Sequence, residues 1–199
     1  MQSLIADFRE NIRRSFMRYG KYLQMREYLA EKPKLDRAVS LLSRGLTIFI
    51  YISYTAQALF LLLKKDKKAA GFLGVPAAVF VSGSLIRRSI DAPRPGDVLD
   101  LKIRQTGKES TRCRGKERNK RKGKSFPSRH SFSAAVVAAA FGWLDKRAGA
   151  VMGAAAVCLG ICRVLKGSHW IKDVAAGLAY GTGGGLAGFH IIDIIEGKH

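Results

Sequence analysis

The chain is poor in cysteine, poor in acid and without a recognisable metal-ligand cluster. Three cysteines occur in 199 residues. Cys113 lies in a basic stretch, while Cys158 and Cys162 stand four apart in an apolar run, where a thiol serves as a small apolar side chain. That spacing indicates neither a disulfide framework nor a metal site. Fifteen Asp and Glu face thirty-five Lys and Arg, a formal net charge of +20. Such a surplus could neutralise nucleic-acid phosphates. However, no aromatic residue interrupts Lys102 to Lys124, so the densest basic stretch offers no platform for stacking bases. Nucleic acid is therefore not an expected partner. The N-terminus lacks the uninterrupted apolar core of a signal peptide. Several apolar runs also lack the polar face of a soluble amphipathic helix.

Those runs are what the chain has in place of a polar surface. Its mean hydropathy of -0.01 averages two unlike kinds of segment. Leu46 to Leu63, Ala69 to Ile86, Ser131 to Leu144, Ala148 to Leu165 and Val174 to Ile192 are apolar, each ended by charge. A membrane helix needs about 20 such residues. Most runs meet that length, and the third does so only if Ser128, Arg129 and His130 form its first turn. The expected fold is an all-helical integral membrane bundle of about five transmembrane helices. Gly177, Gly181 and Gly185, with Gly184 and Gly188, form small-residue ridges that let membrane helices approach closely. They do not say between which chains, so no oligomeric state follows.

Ahead of the spans, Ile5, Phe8, Ile12, Phe16 and Leu23 recur near helical spacing with Arg9, Arg13, Arg14 and Arg18 between them. Residues 2–31 thus read as a basic amphipathic helix ended by Pro33, lying either in the membrane interface or against the bundle. The division is an N-terminal segment, 1–35, and a membrane-embedded domain, 36–199, whose residues 88–126 form a basic loop. Fourteen Lys and Arg against five acids lie between Arg87 and Lys124. Each cation near an anionic bilayer contributes roughly 1 kcal/mol of attraction. Anionic membrane lipids are the expected partner there, alongside a solvated stretch from Arg112 to Lys122.

Three blocks carry the chemistry: Arg87 to Pro95, Pro127-Ser128-Arg129-His130, and Arg163 with His169 and Asp173. Cleaving a phosphate ester or anhydride needs cations on the nonbridging oxygens, a nucleophile, and an acid for the leaving oxygen. Arg87 and Arg94 flank a proline-rich turn and can grip phosphate in bidentate geometry. Ser128 supplies a hydroxyl, and the amides of Arg129 and His130 would open a helix toward an anion. Arg163 ends an apolar span, where a charge requires a partner or a polar cavity. His169 and Asp173 are spaced i, i+4, so the carboxylate can bond one imidazole nitrogen while the other faces phosphorus. His130 is then available as general acid. No cofactor or metal is called for.

In order and spacing, the blocks resemble the signature of the type 2 phosphatidic acid phosphatase superfamily: Lys-x6-Arg-Pro, Pro-Ser-Gly-His and Ser-Arg-x5-His-x3-Asp. The resemblance runs from Arg87 to Asp173. It implies that His169 forms a phosphohistidine, with Asp173 its partner and His130 the acid. Arg87, Arg94, Ser128, Arg129 through its amide, and Arg163 become phosphate ligands. Arg87 stands for the family's Lys, Arg129 for Gly and Cys162 for Ser, changes that remove no chemical participant. The implied substrate is a lipid phosphate or prenyl diphosphate, of the undecaprenyl diphosphate or phosphatidic acid type. Phosphatidylglycerophosphate is an alternative, and a lipid-binding protein with a relic site is the non-enzymatic one. A vanadate-dependent haloperoxidase would share the cradle, but is soluble. The expected location is a bacterial cell membrane. Family habit puts such a site outside, whereas the positive-inside rule puts this one in the cytoplasm, since 28 of the 35 cations fall on its side.

Overall fold

The computed structural model describes residues 24–25, 28–29, 31–90, 92, 94–95 and 125–197. Most of the N-terminal helix and of the basic loop expected from sequence lies outside the described residues. Five long helices account for nearly all of the rest: α1 (Pro33–Leu63), α2 (Lys68–Ser89), α3 (Arg129–Leu144), α4 (Lys146–Leu165) and α5 (Ile171–Ile195). Pro33 interrupts helix as expected: Glu31 is helical, Lys32 is not, and α1 then opens with the proline in its first turn. There the fixed φ is preorganised and the missing N–H is not needed. Consequently α1 begins 13 residues before the apolar run at Leu46, and Asp36 places a carboxylate in its first turn.

Helices α1, α2 and α4 are long and apolar enough to cross a membrane. The third and fifth apolar runs fall short for different reasons. Helix α3 has 16 residues, about 24 Å at 1.5 Å per residue. Helix α5 has 25 residues, but six of them are glycines, which lower its hydropathy. Helix α3 occupies the interior, and α5 buries one face against it. Ser131 to Ala138, Ala140 and Phe141 of α3 are all buried, and α3 packs most extensively on α4 and α5.

Glycine sets that packing. The two small-residue ridges of α5 face two different helices. A Cβ on Gly177 would lie 2.8 Å from the Ser128 carbonyl oxygen, one on Gly181 would meet the Phe132 carbonyl, and one on Gly185 would come within 2.6 Å of Ala139 Cβ. This ridge lies against α3. The other ridge receives α2: added carbons on Gly184 and Gly188 would sit 3.0 and 2.6 Å from Val79 and Val75. Such contacts allow backbones to approach without a large apolar side chain between them.

Helix α2 contains Pro76, which has no N–H for the carbonyl four residues before it. That carbonyl belongs to Phe72, and the Tyr54 hydroxyl of α1 donates to it at 3.1 Å. The Tyr54 ring also stacks on Phe72, with centroids 5.0 Å apart. Elsewhere, Thr47, Thr55 and Ser82 return their hydroxyls to carbonyls four residues back. Polar side chains are thereby satisfied inside apolar helices. At the end opposite the site, one residue joins α3 to α4. Asp145 closes α3 with its N–H on the Phe141 carbonyl, and opens α4 with its carboxylate on the Ala148 N–H.

Candidate active site

Four helix ends converge: the C-termini of α2 and α4, and the N-termini of α3 and α5. Arg87 lies in the last turn of α2 and Arg163 in the last turn of α4, positions that favour cations. Helix α3 starts after Ser128 with no capping side chain, so its first-turn N–H groups are uncapped donors. The link from α4 to α5 is a tight reversal at Gly167, with φ of +71°. The Gly167 N–H bonds the Val164 carbonyl and the Ser168 N–H bonds the Arg163 carbonyl, a Schellman motif. This reversal turns His169 back over the site two residues later.

His169 and Asp173 are both buried, at 4% and 0% exposure. Their geometry differs from a direct imidazole–carboxylate bond. His169 Nδ1 lies 3.0 Å from the Ser125 carbonyl oxygen and 3.8 Å from Asp173 Oδ2. The first is a hydrogen-bond distance and the second is beyond one. Asp173 Oδ2 instead accepts from the Ser125 hydroxyl, and from the Trp170 N–H at 3.2 Å. Burial pushes the Asp173 carboxyl up. The nearby His169 ring, with the bonds from Ser125 and Trp170, outweighs that and holds it below the usual carboxylate range. The Asp173 carbonyl also accepts the Ser128 N–H at 2.9 Å. One residue at the head of α5 therefore fixes both ends of the Ser125-Phe126-Pro127-Ser128 turn. Asp173 Oδ1 is buried with no bond among the described residues.

Around this pair stand the cations. Arg87 Nη1 donates to the Pro127 carbonyl at 2.8 Å and more weakly to Ser125 at 3.4 Å, so its guanidinium braces the turn as well as charging the site. The Nε atoms of Arg94 and Arg163 are buried and unbonded among the described residues. Buried donors without acceptors suit an anionic ligand. Arg94 is tied to the site by its backbone segment, through the Ser125 N–H on the Ala92 carbonyl at 2.9 Å. Ser128 is fully buried and its Oγ accepts from Ser131 at 2.9 Å. Arg129 is exposed at the mouth.

His130 sits at the head of α3, ahead of the apolar run. Burial, then the charges of Arg163 and Arg129, the His169 ring and Arg87, push its imidazole down to about 4. The same interactions place His169 and three arginines within electrostatic reach of His130. Ser125 was not among the residues that the sequence singled out. Its only signal was its place three residues before Ser128, and its contacts depend on Asp173, 48 residues away.

The chain is 45% identical over 58 residues to the lipid A 1-phosphatase of Rhizobium johnstonii, covering 29% of this chain and 24% of that protein. A second lipid A 1-phosphatase, from Rhizobium etli, is 46% identical over 57 residues, 29% of this chain and 25% of the relative. The chain thus matches about a quarter of the length of these curated relatives. In fold it is similar to the crystal structure of a transmembrane PAP2-type phosphatidylglycerolphosphate phosphatase from Bacillus subtilis. That likeness has a TM-score of 0.62 at 20% identity, over 89% of this chain and 85% of the other. The family model of the PAP2 superfamily matches residues 68–195, from the first turn of α2 to the end of α5 and across all three blocks. The chain belongs to the PAP2 superfamily.

Proposed function

We propose that this protein is a multi-pass bacterial membrane phosphatase that removes a terminal phosphate from a lipid phosphate through a phosphohistidine. The observation that carries the reading is the His169 environment. Its Nδ1 faces a carbonyl, which can only accept, so the proton resides on Nδ1 and the Nε2 lone pair is available. Family membership, lipid A 1-phosphatase relatives and the apolar helices around the site support a lipid as the phosphate's carrier.

In the first step Nε2 of His169 attacks phosphorus. A P–N bond forms, the P–O bond to the lipid breaks, and the electron pair leaves on oxygen. His130 delivers a proton to that oxygen. Arg87, Arg94, Arg163, the Ser128 hydroxyl and the amides of Arg129 and His130 hold the three nonbridging oxygens as charge redistributes. The buried Asp173 carboxylate stabilises the cationic ring of the phosphohistidine. In the second step His130, now neutral, takes a proton from water as that water attacks phosphorus. The P–N bond breaks, and inorganic phosphate and neutral His169 are released.

Phosphatidate and undecaprenyl diphosphate are the leading candidates, with phosphatidylglycerophosphate and lipid A beside them in a panel. Phosphate release from the detergent-purified protein, in the presence of chelator, tests the reading. Release is expected from at least one of the four and is expected to be abolished by His169→Ala. Release that survives this substitution removes His169 from the nucleophile's role, and no release from any lipid phosphate favours a relic site.

A further inference from the structure

We propose that Ser125 is a positioning residue for the reaction: its carbonyl selects the His169 tautomer and its hydroxyl orients the Asp173 carboxylate. The inference rests on the phosphohistidine reading and deepens it. Ser125 is fully buried and is held on every polar atom. Its N–H donates to the Ala92 carbonyl at 2.9 Å, its carbonyl accepts from His169 Nδ1 at 3.0 Å, and its hydroxyl donates to Asp173 Oδ2. Arg87 adds a longer bond to the same carbonyl, at 3.4 Å. Three of the four converging elements are thus joined at one serine.

The division of labour follows from what each group can do. A carbonyl oxygen only accepts, so it fixes the proton on Nδ1 whatever the state of the carboxylate. The carboxylate, 3.8 Å away, contributes charge rather than a hydrogen bond to the ring. That charge counts most once His169 carries phosphate and the ring is cationic. Its distance from the ring is set by the Ser125 hydroxyl and the Trp170 N–H, which hold the same oxygen, Oδ2. Removing the hydroxyl frees Oδ2 from one of its two bonds and lets the carboxylate turn, without disturbing the carbonyl that sets the tautomer.

The test is Ser125→Ala, assayed on whichever lipid phosphate the parent protein hydrolyses. A hydrogen bond to a charged group is worth enough to lower kcat about tenfold or more. KM is expected to stay within about twofold, because no phosphate ligand is touched. The acid limb of the kcat profile is expected to move to higher pH, because a donor that lowers the Asp173 carboxyl has gone. Ser125→Thr, which keeps the hydroxyl, is expected to restore most of kcat and return the limb. Unchanged kcat and an unmoved limb in Ser125→Ala overturn the inference. So does a loss confined to the melting temperature, which marks a merely structural serine. Acid-labile labelling of the parent by phosphate-labelled substrate separates this result from failure of the underlying reading. No label on His169 sinks the phosphohistidine itself, whereas a labelled parent with an unaffected Ser125→Ala sinks only the role of Ser125.

Discussion

His130 shows how one residue's surroundings can oppose the role its position suggests. A general acid must be protonated, yet burial and neighbouring charges push this imidazole down to about 4, so at neutral pH it is neutral. The guanidiniums responsible are the groups that would grip a phosphate. An anion held there would offset their charge and raise the imidazole's proton affinity, so on the proposed mechanism substrate binding arms His130. Activity requiring protonated His130 falls as pH rises through its pKa. The alkaline limb of kcat, which reports the substrate complex, is therefore expected well above pH 4. His130→Asn is expected to lower kcat by about 100-fold or more and to remove that limb. A parallel alkaline limb in both proteins, measured across a pH series, would assign it elsewhere. The residue pattern alone showed the two histidines and their charges. It could not show that His169 leans on a backbone carbonyl, because every residue has one.

Among the helices, Tyr54 and Pro76 form a compensating pair. Proline leaves the Phe72 carbonyl without its helical partner, and the Tyr54 hydroxyl takes that place from the neighbouring helix. Tyr54→Phe is expected to cost about 1–3 kcal/mol, the penalty of an unbonded buried carbonyl. Thermal unfolding in detergent measures it. In a Pro76→Ala background the alanine N–H serves the carbonyl, and the same substitution is expected to cost measurably less. Equal costs in the two backgrounds would dissociate the pair. Hydropathy located all five helices and came within a few residues of the ends of four. It missed the first turns of α1, where Lys34, Asp36, Arg37 and Arg44 interrupt the apolar residues ahead of Leu46. The glycine ridges were legible as ridges, but not as contacts with two different partners.

For the whole molecule, the two ends differ sharply in charge. The site end carries Arg87, Arg88, Arg94, Arg129, Arg163, Lys166 and Lys172, and Lys108 falls in the sequence between Pro95 and Ser125. The far end holds the turn around Asp66. On the positive-inside rule a reporter fused near Lys108 is expected to stay cytoplasmic and one near Asp66 to be exported. Export of the Lys108 fusion would place the chemistry outside and make the surplus cations a property of phosphate binding.

His130 lies in the first turn of α3 and His169 two residues ahead of α5, and along the seam between those helices glycine leaves the Ser128 and Phe132 carbonyls almost touching the neighbouring backbone. The gap between the two helix heads that carry the histidines is consequently gauged by main chain against main chain, a spacer that has no rotamers to change.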